Sequence, residues 1–153
     1  MEVPPSLPHY TLRAATANDA ARIRQIITLV QINPMSLNWQ RFTLATNQEG
    51  RIIGCGQVKP HADGSLELAS IAVLPDWRGK GVARRIIEYL LEQYPSTLYL
   101  TCRSQLEPLY HKFGFETLEF NDMPPYFQRL SRIVTLFNKI IRQRDHLLVM
   151  RRN

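Results

Sequence analysis

The stretch that most constrains this 153-residue chain runs from Ser65 to Tyr94, where an apolar run stops at a proline, crosses two glycines and re-enters a helical pattern. Ser65–Leu74 is rich in Leu, Ile, Val and Ala and reads as a strand that Pro75 closes. From Gly79 to Tyr94, the apolar positions Val82, Ile86, Ile87, Leu90, Leu91 and Tyr94 recur at helical spacing, and Pro95-Ser96 ends the helix. A strand, a glycine-bearing turn and a helix start in succession gather unbonded N–H groups and the positive end of the helix dipole at one point, which is an anion site. Glycine there lets an anion approach the backbone closely. Arg78, Lys80, Arg84 and Arg85 crowd the same helix start. Positive charge at that end costs about 0.3–1 kcal/mol per residue, and such a broken local rule is expected where a bound phosphate or pyrophosphate compensates.

Two other phosphate loops fit badly. No Gly-x-x-x-x-Gly-Lys-Ser/Thr run exists, and the dinucleotide fingerprint needs Gly or Ala three places beyond its second glycine, where this chain has Arg84. The plain alternative is a glycine-rich turn with solvated basic side chains.

The remaining pattern supplies the surroundings. Tyr10–Ala14 reads as a short strand, and Thr16 with Asp19 as a capping box opening an amphipathic helix over about 17–32. Arg41–Thr46 and Arg51–Lys59 are the arms of a hairpin turned at Asn47–Gly50, and Ala62-Asp63-Gly64 turns into the next strand. Thr97–Cys102 is a strand, Leu106–Phe113 a short helix stopped by Gly114, and Phe115–Phe120 another strand. A long amphipathic helix near 126–143 and a last strand, His146–Met150, complete the order. Hairpins first and crossings later predict an α/β (α+β) mixed sheet with helices on its faces.

Composition narrows the class. The length suits one domain, and Lys plus Arg exceed Asp plus Glu by 19 to 13, a net charge of +6 that favours an anionic partner without choosing among a nucleotide cofactor, a nucleic acid and a lipid surface. Cys55 and Cys102 stand far apart with no CxxC, and His9, His61, His111 and His146 show no metal spacing, so no metal is expected. The start, MEVPPSLPHY, lacks a signal-peptide pattern, and no apolar run reaches the roughly 18–20 residues of a membrane span. A reducing, cytoplasmic setting is the expectation.

Ile71-Ala72-Val73-Leu74-Pro75-Asp76-Trp77-Arg78-Gly79-Lys80-Gly81-Val82-Ala83 resembles the acetyl-CoA motif of the GNAT acetyltransferase superfamily, with Arg78, Gly81 and Ala83 at the positions of its Gln/Arg-x-x-Gly-x-Gly/Ala pattern. Leu109-Tyr110-His111-Lys112-Phe113-Gly114-Phe115 resembles the family's helix that ends in Tyr, two or three residues, then Gly-Phe. The resemblance covers roughly residues 10–120 and is most specific over 65–115. It implies a single N-acetyltransferase domain over 1–153, with a central, mostly antiparallel GNAT-like sheet splayed at the cofactor strand. It also implies that Arg78, Gly79, Lys80, Gly81, Val82 and Ala83 hold the pyrophosphate of acetyl-CoA. Ile71, Ala72 and Val73 would pair with the pantetheine arm, and the Val73 N–H would polarise the thioester.

The acceptor is then a primary amine of a small molecule, peptide or protein. Glu67, on the strand that leads to the turn, is the candidate base, with an exposed strand carboxylate as the alternative. Tyr110 is the candidate acid, a role the resemblance implies, with core packing as the alternative. Where relatives carry Asn before this helix, the chain reads Thr101-Cys102-Arg103-Ser104-Gln105, so Arg103 and Ser104 are the candidate substitutes. Cys102 is expected as a buried structural thiol and His61 as a solvated turn histidine, an acceptor-pocket place beside Asp63 being its alternative. The late helix carries Arg129, Arg132, Lys139, Arg142 and Arg144 and no acid from Met123 to Arg144, which is expected as a solvated basic face, with a share in the acceptor pocket or a homodimer interface open. A second functional class is a non-catalytic CoA-binding module or a basic nucleic-acid-binding or partner-binding module; no aromatic-basic RNA-binding signature supports nucleic acid.

Overall fold

The computed structural model describes residues 9–141 and 146–153, without the side chains of 138–141. The strands among the described residues are β1 (Tyr10–Ala14), β2 (Phe42–Asn47), β3 (Ile52–Pro60), β4 (Leu66–Val73), β5 (Leu98–Arg103), β6 (Glu116–Thr117) and β7 (Leu147–Arg152). They form one sheet in the order β1-β2-β3-β4-β5-β7-β6. β4 and β5 run parallel, with Glu67 opposite Tyr99; the β1–β2, β2–β3, β5–β7 and β6–β7 pairs are antiparallel. Among the described residues four helices accompany them, α1 (Ala20–Leu29), α2 (Val82–Gln93), α3 (Glu107–His111) and α4 (Pro125–Ile141). This is the mixed, mostly antiparallel architecture the sequence predicts.

Contacts gather the chain into two compact units, one built from the described residues up to Gln57 with Ser70–Gln93, the other from Val58–Ala69 with Tyr94–Asn153. In the first unit, α1 begins as a 3₁₀ turn, Ala17–Asp19. The Asp19 carboxylate accepts the Thr16 N–H at 2.7 Å and two Arg13 N–H bonds at 2.8 and 2.9 Å, so the expected capping box forms with an arginine added. That arginine, ahead of every other influence, holds Asp19 well below the usual carboxylate range. The helix ends sooner than expected, because Gln31 takes a left-handed φ of 59°. Ile23, Ile26 and Ile27 of α1 pack with Phe42, Leu44, Ile52, Cys55 and Ala72.

On β3 the neighbours of Cys55 are glycines. A carbon added to Gly54 would lie 3.0 Å from Val82, and one added to Gly56 would lie 2.6 Å from Ile71 and 2.8 Å from Ile86. Successive strand residues face opposite sides. Cys55 under α1 and the glycines under α2 therefore set the two helices on opposite faces. Within β4, Ser70 takes a left-handed φ of 58°, and its hydroxyl accepts from buried Gln57 at 2.8 Å.

In the second unit, β5 and β7 pair along their length, from Leu98↔Arg152 to Arg103↔Leu147. β6 is shorter than the predicted Phe115–Phe120 because the chain turns at Phe120–Asp122, where the Asp122 N–H bonds the Glu119 carbonyl at 3.0 Å. Gly114 stops α3 with φ 87°, the expected terminator. The first turn of α4 is capped from a distance, the Tyr126 N–H donating to Asp63 Oδ2 at 2.9 Å, and Phe127 is fully buried. Residues 1–8, and Arg142 and Arg144 of the expected basic face, lie outside the described residues, as does the end of that helix near 143. Among the described residues no helix is long and apolar enough to cross a membrane.

Two stability tests follow from this packing. Gly56→Val overfills the α2 seat and should cost about 1–3 kcal/mol in urea unfolding. Partial burial alone would raise the Asp63 carboxyl, but hydrogen bonds from Ser65 and the Tyr126 N–H bring it down to about 2. A depressed carboxyl stabilises the fold above its unfolded value near 4 and loses that contribution as pH falls toward 2. Asp63→Ala should cost about 1 kcal/mol at neutral pH and make stability less acid-sensitive between these values; an unchanged acid-unfolding curve would contradict the cap.

Candidate functional site

In the first unit, the strand-to-helix turn is built as the sequence predicts, with one correction at its end. β4 closes when the Leu74 N–H bonds the Ile53 carbonyl at 2.9 Å, and Pro75–Trp77 makes a 3₁₀ turn. Gly79 and Gly81 then take φ values of 74° and 79°. They are turn residues and not, as expected, the first residues of the helix, because a left-handed backbone cannot continue a right-handed helix. Regular helix begins at Val82, and the first intrahelical bond runs from the Arg85 N–H to the Gly81 carbonyl at 3.0 Å. The N–H groups of Val82, Ala83 and Arg84 precede any intrahelical acceptor. A carbon added to Gly79 or Gly81 would meet nothing within 4 Å. The cradle thus has donors, a positive dipole end and open space, which fits a phosphate.

Aromatic packing holds this turn in place. The Tyr10 hydroxyl donates to the Gly81 carbonyl at 3.2 Å, Tyr10 meets Trp77 edge to face at 6.5 Å, and Lys80 Nζ lies 5.1 Å from the Trp77 ring centre. Arg78 Nε donates to the Val73 carbonyl at 3.3 Å. N–H and C=O groups of successive strand residues alternate between edges, so with Leu74 bonded to β3, the Val73 N–H points to the opposite edge. Not all the positive charge awaits an anion: Arg84 pairs with Glu88 one turn on, at 2.8 Å. Val82 is buried and Ala83 half-buried, while Ile71 is half-buried beside buried Ala72 and Val73.

The second unit holds the candidate acid and base. Glu67 is buried, at 7% exposure, against the exposed alternative. Its Oε2 lies 2.7 Å from His61 Nε2, and its Oε1 accepts a long 3.5 Å bond from the Thr101 hydroxyl. His61 is not the solvated turn histidine expected: its ring stacks on Tyr126 with centres 3.5 Å apart and planes 14° off parallel. Tyr110 sits half-buried on α3, edge to face with Phe115 at 6.2 Å. Burial first, and then Cys102, push its phenol up to about 12. Cys102 is buried beside Met150, and burial raises its thiol to about 11, which suits the structural reading. Arg103 is exposed at the end of β5, and the Ser104 N–H is bonded to the His146 carbonyl at 2.9 Å.

Sequence reasoning held a site role for His61 only as the alternative and missed Tyr126 and Thr101. One signal for His61 was present: the turn at Ala62–Gly64 makes His61 and Glu67 same-face, diagonal neighbours across a hairpin. Tyr126 lies more than sixty residues downstream, beyond any local pattern. Among the described residues no group of three or more His, Cys, Asp or Glu side chains could hold a metal ion.

A family model described as an acetyltransferase (GNAT) domain matches residues 38–117, which include β4, the turn, α2 and α3. No curated protein matches the sequence. Among solved structures, N-acetylglutamate synthase from Neisseria gonorrhoeae, complexed with coenzyme A and N-acetyl-glutamate, superposes with TM-score 0.75 at 16% identity, over 94% of this chain and 35% of that one. This chain therefore spans about a third of that synthase's length. A Mycobacterium tuberculosis protein in complex with CoA superposes with TM-score 0.69 at 19% identity, over 93% of this chain and 98% of that one. The ribosomal-protein-S18-alanine N-acetyltransferase from Escherichia coli superposes with TM-score 0.67 at 20% identity, over 94% and 93%. At these identities the likeness is one of fold.

Gly81→Ala isolates the cradle. The methyl group has space, so the change acts through the positive φ, at a cost of about 1–2 kcal/mol. Isothermal titration should show CoA affinity reduced about tenfold while the chain stays folded; full affinity would show that the turn does not hold the ligand.

Proposed function

Because the chain belongs to the GNAT acetyltransferase family and is thus an acyltransferase, we propose that it transfers acetyl from acetyl-CoA to a primary amine by direct attack, working as one catalytic domain. The observation that carries the donor assignment is the turn, whose Gly79 and Gly81 backbone and α2 N–H groups make an open anion cradle within the matched domain. In this reading Arg78–Ala83 hold the pyrophosphate, Ile71–Val73 pair with the pantetheine arm, and Arg103 and Ser104 add contacts to CoA. The CoA in two of the similar structures supports it. Two buried free cysteines, Cys55 and Cys102, agree with a reducing, cytoplasmic setting.

The roles follow from elementary acyl-transfer chemistry. The amine nitrogen forms a bond to the thioester carbonyl carbon as the carbon–sulfur bond breaks. An alkylammonium must lose a proton before it attacks, and Glu67 is the base that takes it. The departing thiolate receives a proton from Tyr110, whose raised value keeps it protonated at neutral pH, and the tyrosinate regains a proton as the nitrogen gives up its second one to become the amide. The Val73 N–H, aimed away from β3, is the donor for the thioester oxygen.

Screening acetyl-CoA consumption against amines and peptides, with mass detection of product, tests the activity. An acetylated amine is expected, and binding without turnover on any amine would favour the non-catalytic alternative. Glu67→Gln and Tyr110→Phe should each lower kcat by about 10²–10⁴ with the KM for acetyl-CoA little changed. A Tyr110→Phe enzyme of full activity would remove the acid assignment.

A further inference from the structure

We infer that His61 is a positioning residue for Glu67, and that Tyr126 of α4 fixes His61 for that task, so that the long late helix takes part in the acceptor half of the reaction. This rests on the reading of Glu67 as the base. A buried carboxylate needs hydrogen-bond donors to stay ionised, and His61 Nε2 at 2.7 Å from Oε2 is the close one. With the carboxylate at that distance, Nε2 is the ring nitrogen that carries a proton and donates it. Among the described residues, Oε1 accepts the long Thr101 contact, at 3.5 Å, and keeps acceptor capacity for the amine's proton. When the amine loses that proton, it goes to Oε1 while the Nε2–H stays on His61.

The histidine is held at its backbone and on its ring. Its backbone N–H bonds the Ser65 carbonyl at 2.9 Å, closing the turn. One ring face lies on Tyr126, and Phe127 meets the ring edge to face at 5.7 Å. Tyr126 is itself placed by its N–H bond to Asp63, two residues from His61 in the same turn. Among the described residues, the polar and titratable groups around Glu67 are His61 and Asp63 of the turn, Lys59 opposite it by the register the turn sets, Tyr99 and Thr101 on β5, and Tyr126 on α4. His61 pairs closely with the carboxylate and is packed by α4. Such pairing and stacking fit a group that orients a base better than a surface ion pair, since both side chains are about nine-tenths buried, at 12% and 9% exposure.

His61→Phe keeps a ring against Tyr126 and removes the donor. The expected result is a kcat lowered about 10–100-fold, part of what a general base supplies, with the KM for acetyl-CoA unchanged and the acid limb of kcat/KM moved to higher pH. His61→Gln, which restores an N–H donor, should recover part of the rate and return the limb toward its original position. Tyr126→Leu should lower kcat less and shift the limb in the same direction. The inference is overturned if His61→Phe keeps the wild-type rate, or if it loses rate with an unmoved limb and no recovery in His61→Gln. Should His61→Phe fail to fold, the Gln and Tyr126→Leu pair decides by the same limb. Full activity in Glu67→Gln would instead sink the base assignment beneath it.

Discussion

At Gly56 a single added carbon would lie 2.6 Å from Ile71 and 2.8 Å from Ile86, so α2 rests almost directly on strand backbone. The closeness of that seat is what gives the first unit its chemistry. A helix docked by Val82, Ile86 and Leu90 against a glycine floor has little freedom to tilt or slide. Its N-terminus must then lie where β4 ends, and the connection has to be made by a short turn. Gly79 and Gly81, both left-handed, make that turn, and Tyr10 and Trp77 hold it from outside. The anion cradle is thus a consequence of packing: once the helix is seated, its unbonded N–H groups have one direction to face.

The second unit is organised by a turn of a different kind. Asp63 bonds Ser65 through one oxygen and the Tyr126 N–H through the other, so one carboxylate both shapes the hairpin tip and caps α4. The same tip carries His61, and the strand leaving it carries Glu67. A helix that begins beyond residue 120 is in this way tied to the strand with the candidate base. Burial then makes the His61–Glu67 pair depend on good geometry, because a buried carboxylate tolerates the loss of a partner poorly.

Legibility in the sequence followed how local each determinant was. The elements around the turn were readable because proline, glycine and helical periodicity act within a few residues; Pro75, Gly114 and the spacing of Val82 to Leu90 placed β4, α3 and α2. Boundaries slipped where a backbone conformation intervened that no periodicity reports. Gln31 ended α1 early, Gly81 delayed α2, and the bend at Phe120 cut β6 to two residues. Glu67 was readable as a strand residue, but its burial depends on His61, Thr101 and the α4 aromatics, which meet only in the fold. The misplaced positive charge is answered in part within the chain: Arg84 finds Glu88 one turn along, while Arg78 and Lys80 turn to the Val73 carbonyl and the Trp77 ring.

The central claim is that the turn holds the donor through its backbone. Following amide chemical shifts by NMR during a CoA titration tests it most directly, because each donor is then observed by itself. The account predicts that the largest saturable shifts fall on Gly79, Lys80, Gly81, Val82 and Ala83, with downfield movement as their N–H groups bond phosphate oxygens. Saturable shifts that leave these five amides unmoved, or CoA binding that perturbs only another surface, would contradict it.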